Sequence, residues 1–275
     1  ILDADELFEK FKNNKLKNNE VCLTFDDGIK CQIDIALPVL EELKIKSFFF
    51  AYTSMFQGKP DNLEFFRYFR MNYFKSVDEF YDSFYKVLDK DLKFSFKKNS
   101  NIINDTKIKY PFQSISDIKF RLVRDNFLTK SQYEEIMFLM FKEKQFNHND
   151  FSKKLFFQKS DLQTLDNLGH LVGLHSHNHP TLLEKLSHDE QKSEYENCLS
   201  SISDILNKPK NEIKSMSHPC GSYNEHTLQI LKELGIELGF KSIMNYEPEK
   251  GMTKVNNSFL EIARQDHAEI FKRMN

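Results

Sequence analysis

The chain holds 275 residues, 40% hydrophobic and 29% charged, which is a globular rather than a disordered composition and suits one large domain or one domain with an insertion. Lys and Arg number 39 against 41 Asp and Glu, a net charge of -2, too weak a field to grip nucleic acid by bulk charge. The longest apolar stretches, such as Phe48 to Tyr52, are far too short to span a bilayer, and 8 Gly with 7 Pro exclude Gly-rich β and collagen-like architectures.

In chain order, Val21 to Phe25 is a short apolar run of strand formers closed by Asp26-Asp27-Gly28, which predicts a buried strand ending in a tight turn. Ile33, Ala36, Leu37, Leu40 and Leu43 keep helical spacing, with Pro38 marking the expected helix start. Ser47 to Thr53 reads as a second strand. Strand, helix, strand within about thirty residues is a βαβ unit, so the sheet should be parallel. The rhythm then changes. Residues 56–158 are rich in Phe, Tyr, Lys and Asp at mostly helical spacing and read as a helical insertion whose Phe stripe is core.

The βα rhythm resumes at residue 159. Ser160 is a candidate cap for a helix to Leu168, stopped by Gly169. His170 to His175 alternates like a strand. Ser187 with Glu190 three residues on is a capping box opening a helix to about Leu206. Met216 to His218 fits a strand end, Leu228 to Leu234 a helix, and Glu237 to Phe240 and Leu260 to Ala263 the last strands. Strands alternating with helices over this length predict a closed or partly closed β/α barrel, in which strand C-termini converge on one face.

Three polar clusters follow strand ends: Asp26-Asp27, then His175-Ser176-His177-Asn178-His179, then Ser217-His218-Pro219. Gly28 can supply the sharp turn that brings both carboxylates toward one centre. Three histidines within five residues suggest metal ligation. His175 and His177 share a face if the strand runs on; His175 and His179 share one across a turn, and Pro180 favours the turn. Two His and one carboxylate form a catalytic zinc set with an open position. Zinc acidifies water and polarises a carbonyl, and a second carboxylate alongside can take the proton.

TFDDG at 24–28, HSHNH at 175–179 and the PCGSYN run at 219–224 resemble the motifs of the polysaccharide deacetylases, the NodB-homology domain of carbohydrate esterase family 4. The resemblance covers about 1–55 and 159–240. It implies an α/β fold, a distorted (β/α)7 barrel, with 1–275 as a single NodB-like domain and 56–158 inserted between the first and second motifs. It implies metal-dependent removal of an N-acetyl or other N-acyl group, formyl included, from an amino sugar in surface polysaccharide or glycan synthesis. Asp26 then resembles the general base, and Asp27, His175 and His179 the ligands of zinc or another divalent metal. Ser176 supports the loop, and His177 falls on a variable position. Pro219, Cys220, Gly221 and Tyr223 lie in the substrate and oxyanion motif, where Cys220 replaces an aromatic and its backbone N–H is the donor.

The third motif lacks its usual Arg, with Ser217 and His218 in that region, and no Trp exists for the Asp-Trp motif. Arg264 is the candidate for the missing cation, as against a surface ion pair with Asp266, and His267 or His218 for the catalytic acid. With these departures, a decayed carbohydrate-binding or scaffold module is the alternative to an enzyme. Without Trp there is no sign of a long polymer groove, so a nucleotide- or lipid-linked sugar is the expected partner, with no nucleic acid and no transmembrane segment. The scattered cysteines Cys22, Cys31, Cys198 and Cys220 form no CxxC pair and suit a reducing, cytoplasmic setting.

Overall fold

The computed structural model describes residues 1–17, 19–88, 100–109, 113–242, 259–267 and 270–271. Its first elements are α1 (Ala4–Lys12), β1 (Thr24–Phe25), α2 (Leu37–Leu43) and β2 (Phe48–Ala51). Five helices follow: α3 (Asn62–Asn72), α4 (Val77–Val87), α5 (Ser100–Lys109), α6 (Ile115–Leu122) and α7 (Lys130–Glu143). Then come α8 (Lys159–Asn167), β3 (Leu171–Leu174), α9 (His188–Leu206), β4 (Ser215–Ser217), α10 (Glu225–Glu233) and β5 (Leu238–Phe240). Two compact units result, one of residues 1–61 and 153–266, the other of 62–152 and 267–275.

In the first unit the five strands pair in parallel in the order β1-β2-β3-β4-β5 and curl into a half-barrel, a distorted (β/α) barrel with helices in the crossovers. The parallel arrangement follows from the chain: every strand is separated from the next by a helical crossover, which brings it back in the same direction. Phe48, Phe49, Phe50 and Ala51 are all fully buried, as befits a central strand covered on both faces. Gly173 permits the close approach of β3 and β4, since a Cβ there would lie 2.4 Å from the Ser215 carbonyl oxygen.

Several boundaries differ from expectation for physical reasons. β1 keeps only two residues, because Val21 and Leu23 are exposed and have no buried face to hold them in the sheet. Leu260 to Ala263 contracts to a single parallel bridge between Ile262 and Phe240, so the described residues hold five strands rather than seven. α2 opens with Pro38 in its first turn, as expected, and a π turn over Gln32–Ala36 leads directly into it. The α8 box uses Gln158 and Asp161 rather than Ser160, whereas the Ser187–Glu190 box opens α9 as expected. Helix α1 was not foreseen: Ala4, Leu7, Phe8 and Phe11 pack on Phe48, Phe50, Leu238, Phe240 and Ile262.

The second unit is built on aromatic packing. Phe66, Phe69, Phe80, Phe84, Phe120 and Phe141 are buried, and most of their rings meet edge to face, for example Phe69 and Phe141 at 4.6 Å between centroids. Each buried ring contributes about 1.5–3 kcal/mol, which explains how short helices without strands still pack.

Candidate metal centre

The turn after β1 and the loop after β3 lie at the C-termini of the two strands that flank β2, and both are bent sharply. Asp27, Ser176, His179 and Cys220 all have positive φ (73°, 65°, 55° and 52°), which L residues adopt only when the surroundings impose it. Among the described residues, the other four non-Gly residues of this kind, Asn14, Lys44, Gln145 and Asn207, sit at helix C-termini, where such angles are ordinary. The bend is held in place from outside. The Glu194 carboxylate on α9 accepts from the backbone N–H groups of His177 (2.9 Å) and Asn178 (2.7 Å) and from the Asn178 side chain (2.6 Å). The Ser176 hydroxyl accepts from the His179 N–H at 3.1 Å, and the His177 carbonyl accepts from Thr53 and Ser54.

The result is that His175 Nε2 and His179 Nε2 lie 3.0 and 3.1 Å from the same Asp27 Oδ1. The opposite ring nitrogens face acceptors: His175 Nδ1 lies 2.8 Å from the Ser217 carbonyl and His179 Nδ1 lies 3.3 Å from Asp61 Oδ2. Donating there leaves both Nε2 lone pairs aimed at a carboxylate oxygen, so three acceptors converge. His179 Nε2 is buried, and the group it faces is Asp27 Oδ1. Burial opposes a charge on His179, but Asp27 and Asp61 outweigh it and lift its pKa well above the ordinary histidine value. Such a place calls for a cation. One ligand atom from each of Asp27, His175 and His179 lies within 4.8 Å of the others, and two imidazoles with a carboxylate are a donor set zinc accepts. The residues therefore fit a divalent metal.

Beside this trio stands Asp26. Arg264 donates to both its oxygens, at 2.8 and 2.6 Å, and the Ser217 hydroxyl donates to Oδ2 at 3.0 Å. Arg264 is itself fixed by the Lys241 carbonyl (2.6 Å), the Thr24 hydroxyl (3.1 Å) and Ser217 Oγ (3.0 Å). Burial pushes the Asp26 pKa up, but Arg264 prevails and holds it below the usual carboxylate value.

The remaining candidates separate. His218 is fully buried and stacks on Tyr223 with centroids 4.3 Å apart; its Nε2 lies 2.8 Å from the Leu260 carbonyl, and its Nδ1 has no partner. Burial depresses its pKa to about 4. Tyr223 donates to Glu261 at 2.7 Å. Pro219 is buried and opens a short turn in which Cys220 is exposed and Gly221 has a φ of 71°; a Cβ on Gly221 would strike Ser242 Oγ at 2.2 Å. The N–H groups of Gly221 and Ser222 are donated to the His218 and Pro219 carbonyls. His267 is exposed and belongs to the second unit. Reasoning from sequence missed Asp61, Glu194 and Gln32, whose amide donates to the Asp26 carbonyl at 2.5 Å. Glu194 carried a signal, a carboxylate on the face of α9 that also bears the buried Tyr195 and Cys198.

The sequence pattern of the family described as Polysaccharide deacetylase matches residues 13–68 and 125–239, more than half of the chain. The chain belongs to the polysaccharide deacetylase family. Among solved structures, the Streptococcus pyogenes deacetylase PplD in complex with acetate is similar with a TM-score of 0.52 and 17% identity, over 96% of this chain and 71% of that one. The BpsB deacetylase domain of Bordetella bronchiseptica gives 0.47 and 13%, over 96% and 83% respectively. A de-N-acetylase from Aggregatibacter actinomycetemcomitans gives 0.46 and 12%, over 87% and 70%. At these identities the likeness to PplD concerns the fold. No curated protein matches the chain by sequence. Among the described residues no helix is long and apolar enough to cross a membrane.

Proposed function

We propose that this protein is a metal-dependent deacetylase that hydrolyses the N-acetyl group of an amino sugar, with zinc or another divalent cation held by Asp27, His175 and His179. The observation that most supports this is the convergence of those three donors next to a carboxylate gripped by Arg264. When bound, the cation supplies Lewis acidity toward water and the acyl carbonyl oxygen. Asp26 takes the proton of the attacking water; a positioned base of this kind contributes about 10²–10⁴-fold. Arg264 and Ser217 fix the orientation of Asp26 and keep it ionised near neutral pH. The protonated Asp26 is a strong acid for the same reason, and it passes the proton to the departing amine. His218 is a poorer donor: it is neutral at pH 7, and its Nε2–H is committed to Leu260. The Cys220 N–H meets the oxyanion, a donor worth about 2.7–4 kcal/mol, on the turn shaped by Pro219 and Gly221. Tyr223 braces that turn through Glu261.

Family membership supports a carbohydrate substrate, and the net charge of -2 with no Trp supports a nucleotide- or lipid-linked amino sugar over a long polymer. Residues 56–158 are then an insertion within one deacetylase domain. The test is release of acetate or formate from a panel of N-acylated sugars and nucleotide-sugars, with and without chelator. Chelator-sensitive release by a protein holding about one metal ion supports the reading. A metal-free protein that binds glycan without releasing acid makes it a binding module.

A further inference from the structure

The second unit contains a group of charges that plays no part in the chemistry above. The chain is strongly biased toward lysine and has only six arginines. Four of the six, Arg67, Arg70, Arg121 and Arg124, line one small cavity together. Two pairs at i, i+3 bring this about, one on α3 and one running from the end of α6 into the π turn Val123–Phe127. Where a chain otherwise uses lysine, arginine is needed where a planar fork must meet a flat or branched anion.

Among the described residues the acids divide unevenly between them. Arg67 pairs with Glu64, and Arg124 pairs with Asp125 through two bonds of 2.7 and 2.8 Å. Asp117 must serve both Arg70 (3.2 Å) and Arg121 (2.7 Å), and it also accepts from the Tyr81 hydroxyl at 3.0 Å. Among the described residues a single carboxylate, Asp117, thus serves two guanidinium groups, and the surplus positive charge lies at Arg70 and Arg121. Arg70 Nε is buried without any acceptor, and its guanidinium stands 5.7 Å from the Phe120 ring centroid. The same two arginines line an adjoining cleft of about 320 Å³, with Tyr81 and Asp117 on its polar side and Met71 and Val77 on its apolar side. That volume exceeds an inorganic ion and suits an anion attached to a small ring.

We infer that this cleft binds a phosphate ester, the guanidinium groups of Arg70 and Arg121 receiving its oxygens and the Met71–Val77 wall receiving the group that bears it. The inference stands apart from the deacetylase reading and does not need it.

Calorimetric titration of the full chain at fixed ionic strength tests it, with inorganic phosphate, glucosamine 6-phosphate and glucosamine as probes. Saturable binding of phosphate, tighter for glucosamine 6-phosphate and absent for glucosamine, is expected. Arg121→Lys retains the charge and loses the fork, and should weaken binding about tenfold; Arg121→Gln should weaken it further. Arg121 is a third exposed, so both variants should remain folded, and Arg121→Lys alone decides the matter if Arg121→Gln does not. Binding must persist in Asp27→Ala, where the metal centre is disabled. Absence of saturable binding, unchanged binding in Arg121→Lys, or its loss in Asp27→Ala would overturn the inference.

Discussion

The strand-end face of the first unit and the helical core of the second solve opposite problems. Around Asp27, Ser176, His179 and Cys220 the backbone is forced into left-handed angles so that polar groups converge. In the second unit the only described non-Gly residue with positive φ is Gln145, at a helix end, and the interior is phenyl rings meeting edge to face. The first region spends stability on geometry; the second gains stability from rings that need little precision beyond shape. Substitutions in the two should therefore fail differently.

The largest effect is expected at the centre. Asp27→Ala should reduce metal content from about one ion per chain to near zero by elemental analysis and abolish chelator-sensitive turnover. Asp26→Asn should lower kcat about 10²–10⁴-fold while metal content stays the same, which separates the base from the ligands. Arg264→Ala should lower kcat about 10²-fold through misorientation of the carboxylate. It should also move the acidic limb of the pH–rate profile to higher pH, because Asp26 loses the partner that depresses its pKa. In the other region, Phe69→Ala should cost about 3–5 kcal/mol of stability by denaturant titration and leave the metal content of the folded protein untouched. If Phe69→Ala released the metal, the division between the two regions would fail.

The smallest effect concerns pH and stability. His218 is neutral and buried, with its pKa lowered from 6.5 to about 4. Between those values the unfolded chain binds a proton that the folded chain refuses, so stability falls as pH falls through that window, by up to about 1.4 kcal/mol per unit. His218→Asn should flatten this slope in denaturant titrations at pH 7 and pH 5.

Much of this was legible in the sequence because it is local. The βαβ rhythm, the TFDDG turn and the HSHNH loop are runs of adjacent residues, and the Ser187–Glu190 box sits within four positions. What escaped was set by distance. Asp61 supports His179 across 118 positions, and Glu194 braces the loop from a helix whose face toward the sheet is known only after folding. Strand lengths also escaped, because the exposure of Val21 and Leu23 depends on what covers them.

The bond between Arg264 and Asp26 joins residues 238 positions apart. A nascent polypeptide therefore carries Asp27, His175 and His179 long before it carries the guanidinium that pairs with Asp26. The ion pair that holds Asp26 can therefore form only once translation has passed Arg264.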